Sequence, residues 1–174
     1  TYIDGVDITP DDIYAHHDKT GELPKTSATN VGECLDFFKK FTESGKTVIH
    51  FTISSDMSST YANACLAAEE LENVYVINTE NLSTGGGLLT VAAAQMRDDG
   101  LAAEEIVEKT KALVPCVDAS FVIDSLEYLY KGGRCSALAM FGANLLRLKP
   151  CIQVKNGKMD VAKKYRGKYD EVLK

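Results

Sequence analysis

Two rhythms of apolar residues alternate along the chain. Residues 47–53 (TVIHFTI) are apolar almost throughout, the pattern of a strand in a sheet covered on both faces. VYVIN, 74–78, and SFVID, 120–124, read as further strands. Between them apolar residues recur at helical spacing. Cys34, Phe37, Phe38 and Phe41 share one face of a helix that stops near Gly45. Residues 59–72 predict a helix, and a long one runs from the glycine run at 85–87 to about Arg97. Residues 102–114 predict another, ending before Pro115. LEYLYKGGR, 126–134, reads as a short helix with a glycine stop, and 136–148 as an apolar helix. Near the start, Thr9 is suited to an N-cap, Pro10 to the first helical position, and Asp11 and Asp12 to the first turn. Residues 21–30 (GELPKTSATN) are loop by composition.

Strands alternating with helices indicate parallel βαβ units, hence an α/β fold with a three-layer α/β/α sandwich and a mainly parallel sheet. The rhythm breaks after Pro150, where Asn156-Gly157 is a strong signal for a hairpin with a type I′ turn. The expected organisation is a parallel lobe over residues 1–148, followed by the beginning of a second, mixed-sheet lobe over 149–174. The chain ends inside a basic amphipathic stretch with nothing to pack on, and Thr1 is not a natural start. Both features suggest a truncated protein.

A length of 174 residues suits one ordinary domain, with part of a second. A domain near this size removes roughly 70% of its unfolded surface from water, enough for a real core. The net charge of −6 and the lack of a basic stripe argue against a nucleic-acid partner. The five cysteines lie far apart with no CxxC, so neither zinc nor dithiol chemistry has a local signature. They read as reduced thiols, with a cytoplasmic address. No apolar run approaches the roughly 20 residues a membrane helix needs, and no signal peptide is visible.

Candidate chemistry gathers at residues 53–60, ISSDMSST, where a strand becomes a helix. In a doubly wound sheet, ligands bind beyond the carboxyl ends of the strands, against the helix N-termini that follow. Such a terminus attracts anions, and serine and threonine hydroxyls add donors without bulk or fixed charge. Any single hydroxyl here is explained by capping, but a cap needs one residue and the cluster holds five. Similar loops occur at Lys25–Thr29 and from Asn78-Thr79 to Ser83-Thr84. Converging on one sheet edge, the three would form a pocket for a carboxylate or phosphate.

The usual catalytic signatures are absent: no GxSxG elbow, no Walker A sequence, no GxGxxG spacing. Gly85-Gly86-Gly87 reads as close helix–sheet packing. His50 lies mid-strand, where a core role is the simpler one, and His16-His17 sits on an acidic, solvated helix. Without a positioned base, Ser58 as a nucleophile is a minority reading. Asp124 is explained by capping and Arg134 by pairing with a local acid or helix end.

PKTSATNVGE (24–33), ISSDMSSTYANA (53–64), LEYLYKGGR (126–134), LLRLKPCIQVKNGKM (145–159) and KYRGK (164–168) together resemble the DegV family, bacterial fatty-acid-binding proteins of the EDD fold that serve fatty acid kinase. The resemblance implies a non-catalytic, cytoplasmic lipid carrier of two lobes, with no cofactor of its own. One long-chain fatty acid would lie between the lobes, its tail in an apolar tunnel. Its carboxylate would sit at hydroxyls matching Thr26 and Ser27 and at Ser58, Ser59 and Thr60, with Tyr61 completing that motif. Arg134 matches the family's buried arginine and Arg166 its surface arginine near the kinase-docking face. The partner, a DAK-type ATP-binding subunit, would phosphorylate the presented acid. Ser59 replaces a usual glycine, Ala28-Thr29-Asn30 replaces a more typical Gln-Pro-Ser, and Asn78 stands where an aspartate is common. The family's N-terminal Asp-Ser strand and most of its second lobe, with a histidine near the ligand head, are missing. Each buried methylene contributes roughly 0.8 kcal/mol, so the tail would supply most affinity and neutral donors would suffice for the head. Along 136–148, Leu138, Met140, Phe141, Leu145, Leu146 and Leu148 are mostly explained by core packing, with one or two left for the tunnel wall. The alternative is a sugar-phosphate-binding, isomerase-like or regulatory domain, since those also hold phosphate with serine-threonine loops at strand ends.

Overall fold

The structure, a computed structural model, describes residues 2, 3, 5–123, 127–133, 149–166 and 169. The helix predicted over 136–148, Asp124 and Arg134 lie outside the described residues.

Helix α1 (Pro10–Thr20) begins as its sequence dictates. The Thr9 hydroxyl accepts the Asp12 amide at 3.3 Å while the Asp12 carboxylate accepts the Thr9 amide at 2.9 Å, a reciprocal capping box. Helix α2 (Val31–Thr42) repeats the device with Asn30 and Glu33. Strands β1 (Val48–Thr52) and β2 (Val74–Asn78) pair in parallel, from Val48↔Val74 to Thr52↔Asn78. Helix α3 (Thr60–Ala68) connects them, and α4 (Ser83–Asp98) and α5 (Ala103–Leu113) follow β2.

Side-chain alternation sorts these helices into layers. Val48, Val74 and Val76 point to one face of the sheet, where α2 and α3 bury Cys34, Phe38, Ala64 and Ala67. Helices α4 and α5 contact β1 and β2 on the other face, where Ile49, Phe51, Ala93 and Ile106 line a shared cavity. The three-layer α/β arrangement expected from the sequence is therefore present, with a parallel sheet at its centre.

A second sheet is antiparallel, in the order β3 (Ala119–Val122), β4 (Lys149–Lys155), β5 (Lys158–Tyr165). It packs Ile152, fully buried, against Phe121, Ile123, Leu129, Met159 and Val161, with Leu129 contributed by α6 (Glu127–Gly132). Asn156 (φ 50°) and Gly157 (φ 75°) form the tight turn between β4 and β5, both in the left-handed region that a two-residue type I′ hairpin demands.

Two expectations change. The strand at 120–124 was expected to extend the parallel series within residues 1–148, but β3 pairs antiparallel with β4, Ala119↔Val154 to Val122↔Cys151. The alternation explains it: Ser120 faces solvent and β4 buries every second residue, as a sheet with one wet face requires. His17 is also not solvated. Its side chain is 14% exposed, with Glu127 Oε1 3.6 Å from Nε2 and the Tyr128 ring 5.2 Å away, so α1 docks on α6.

Candidate functional site

The hydroxyl-rich stretch forms the turn between β1 and α3, and its first serine is an anchor. Ser54 is fully buried, its amide donates to the Asn81 carbonyl at 2.9 Å, and its own carbonyl accepts the amides of Met57 and Ser58. Its Oγ accepts the Asp56 amide at 3.2 Å. One residue thus organises the whole turn. Ser58 Oγ accepts the Thr60 amide at 3.2 Å and shares a 2.8 Å hydrogen bond with the Thr60 hydroxyl. Ser58 therefore does the capping, while Ser59, formally the N-cap, makes no side-chain cap bond and is exposed.

Neighbouring loops are tied to this turn by side-chain amides and hydroxyls, of which Thr79 is buried. Thr79 Oγ1 donates to the Thr52 carbonyl at 2.8 Å, and the Asn78 side chain accepts the Ser55 amide and donates to the Ser55 hydroxyl. On the other side Asn63 Nδ2 donates to the Thr29 carbonyl at 2.8 Å, pinning the 21–30 loop to α3. The three hydroxyl loops are thus joined in series, and among the described residues they line more than one cleft. Ser83 and Thr84 line a separate cleft of about 480 Å³ with Leu82, Leu88, Phe121 and Val154, between α4 and the second sheet.

Beside the central turn lies a cleft of about 490 Å³. Phe37, Phe38, Phe51 and Ile53 supply its apolar wall, and Thr29 and Thr60 bring hydroxyls to it. Its size falls within the usual range for small-molecule sites, and beside the apolar wall Glu33, His50 and Thr52 also line it. Of the residues expected at the site Thr60 lines it, while Thr26, Ser27 and Ser59, all exposed, and the half-buried Ser58 do not; Arg166 is exposed beyond the end of β5. Sequence reasoning passed over Asn63 and Asn81, which position the turn. Their only signal was an amide side chain near a helix start or strand end, where such groups commonly bond the backbone.

His50 lines the same cleft and meets the Phe38 ring edge-on at 5.1 Å, which favours the core role read from its position. Burial lowers its pKa from the ordinary 6.5. Between that value and the lower folded one, the unfolded chain binds the extra proton, so stability is lost as pH falls through this window. Urea midpoints of the parent protein should drop on going from pH 7.5 to below 6.5, and His50→Phe should flatten that slope. An unchanged slope would show that other groups carry it.

Among the described residues no cluster of three or more His, Cys, Asp or Glu side chains could hold a metal ion. No helix among them is long and apolar enough to cross a membrane.

Comparison with known proteins follows the same line. A sequence profile of the DegV family matches residues 1–172, and the chain belongs to that family. A DegV domain-containing protein of Clostridium acetobutylicum is 35% identical over 169 residues, covering 96% of this chain and 61% of its own. Among solved structures, a stearic acid-binding protein from Eubacterium ventriosum superposes with a TM-score of 0.86 at 32% identity, over 98% of this chain and 60% of that one. A fatty-acid-binding DegV family protein from Thermus thermophilus gives 0.85 at 28% identity, over 95% and 60%. The chain spans about three fifths of the length of these relatives.

Proposed function

We propose that this chain forms part of a non-catalytic carrier that binds one long-chain fatty acid. The observation that carries this reading is the phenylalanine-walled cleft, to which Thr60, hydrogen-bonded to the Ser58 hydroxyl, brings its own hydroxyl. A fatty acid presents that same combination, a long apolar tail and one acidic head. Burying the tail provides most of the affinity, at roughly 0.8 kcal/mol per methylene, and hydroxyls need only offset the desolvation of the head. The fatty acid ligands of the Eubacterium ventriosum and Thermus thermophilus relatives support it.

In this reading Ser58, Ser59 and Thr60 hold the carboxylate from the α3 side, and Thr26 and Ser27 close over it from the exposed 21–30 loop. From the family resemblance we assign Arg134, which lies outside the described residues, to the ligand, and Arg166, exposed, to the face that docks a fatty acid kinase whose ATP-binding subunit phosphorylates the presented acid in the cytoplasm. The protein itself does no chemistry. We place the junction of the two lobes before β3 rather than at 148, because β3 pairs with β4. A sugar phosphate is the weaker candidate, since among the described residues no lysine or arginine lines the cleft.

Full-length protein, denatured and extracted with organic solvent, should release close to one equivalent of fatty acid by mass spectrometry. Extracts without it, together with a thermal shift on sugar phosphates and none on oleate, would overturn the reading. Ser58→Ala should weaken fatty acid binding by about 1 kcal/mol or more, roughly fivefold in Kd. An unchanged Kd would remove Ser58 from the head-group site.

A further inference from the structure

We propose that the β4–β5 hairpin tip is a latch on the hydroxyl turn, with Gly157 as its positioning residue. Hairpin tips are normally solvated, yet Gly157 is buried. What covers it is the turn itself. A Cβ on Gly157 would lie 2.7 Å from Ser54 Oγ and 3.0 Å from Asp56 Oδ2. The second sheet thereby touches the one residue that organises the 53–60 stretch, since Ser54 holds the amides of Asp56, Met57 and Ser58. Beside this contact Lys158 Nζ lies 3.6 Å from Asp56 Oδ1, an exposed pair that adds direction more than strength.

The arrangement makes the shape of the turn depend on where the second sheet sits. With the tip seated, Ser54 is enclosed and Ser58 is set beside Thr60. Withdrawing the tip exposes Ser54 to water and frees the turn. A movement of one sheet relative to the other would then loosen the head-group side of the cleft without touching its apolar wall, a route by which a bound acid is handed over. The release step rests on the fatty-acid reading above; the ordering of the turn does not.

Amide hydrogen exchange on full-length protein tests the latch directly, with oleate dissociation alongside. Gly157→Ala should speed exchange of the Asp56, Met57 and Ser58 amides by about tenfold, and release oleate faster. Gly45→Ala is the control: Gly45 has the same φ of 75° but nothing within 4 Å, so it carries the backbone strain alone and should alter neither readout. Unchanged exchange at the turn in Gly157→Ala would overturn the latch whatever the ligand does. A parent protein that holds no oleate would sink the carrier reading, and exchange alone would then decide the latch. Should Gly157→Ala not fold, Lys158→Glu puts like charge beside Asp56 on an exposed site. It should speed the same amides about twofold, and adding Asp56→Lys should restore them. No acceleration in Lys158→Glu would overturn the proposal.

Discussion

Phe38→Ala is expected to lower the unfolding free energy by about 3–5 kcal/mol. Phe38 is fully buried among Cys34, Ala64 and Ala67, and meets His50 edge-on. Its small neighbours cannot swell to fill the space, so most of the ring's volume would remain as a cavity. The loss is a large part of the ~5–15 kcal/mol that holds a typical domain together. Phe38 also lines the candidate cleft, so the same change should widen it and relax any preference among acyl chains. Phe37 provides the comparison. It lies next in sequence, lines the same cleft and meets the Phe38 ring edge-on at 6.3 Å, but is 47% exposed. Phe37→Ala should cost no more than about 1 kcal/mol, because nearly half of its surface is already in water and its removal leaves no closed cavity. Urea denaturation of the two variants side by side measures the difference. Equal losses would mean that the α2–α3 seam is not the core.

That pair also shows what was legible in the sequence. Helical spacing put Cys34, Phe37, Phe38 and Phe41 on one face of α2, and they do share it, but only Cys34 and Phe38 are buried. Period fixes the direction of an apolar stripe; its buried width is set by the partner, here the alanines of α3, which admit one large ring. Local signals were read well for the same reason that they are local. The Thr9 cap, Pro10 and the Asn156-Gly157 turn each depend on residues within a few positions of one another. The placement of β3 was not legible, because it depends on pairing with a distant strand whose burial pattern the short run at 119–122 does not encode. The site divides likewise. A cluster of hydroxyls beyond one strand end exceeded what a cap requires and so marked the turn. The bonds that position it, from Asn63 to Thr29 and from Ser54 to Asn81, join distant segments and leave no periodic trace. Nor could spacing show that a hairpin tip would press on Ser54.

The glycine run of α4 is where physical detail most alters the first reading, and it yields a prediction of opposite signs. Close helix–sheet packing was expected of Gly85-Gly86-Gly87, but the approach is to the loop ahead of the helix. A Cβ on Gly85 would lie 2.1 Å from Asn81 Oδ1, one on Gly86 would only touch Thr79 at 3.4 Å, and one on Gly87 would meet nothing within 4 Å. Glycine-to-alanine in a helix is worth about 1 kcal/mol of stability where space allows. At Gly87 space allows, so Gly87→Ala should stabilise by up to that amount, raising Tm by about 2–4 °C. At Gly85 it does not. Asn81 is short, 3% exposed, and bonded through Oδ1 to the Leu82 amide at 3.0 Å, so it has no free end to swing aside. Overpacking of this kind costs about 1–3 kcal/mol, and displacing the Asn81 side chain forfeits its hydrogen bond as well, so the clash outweighs the helix gain. Gly85→Ala should therefore destabilise by about 1–2 kcal/mol net. Because the Asn81 carbonyl also holds the Ser54 amide, the damage should reach the hydroxyl turn. Thermal melts of the two alanine variants should move in opposite directions, with faster exchange of the Ser54 amide in Gly85→Ala only. A stabilised Gly85→Ala would show that the loop yields, and that Asn81 is not the fixed support on which the turn is built.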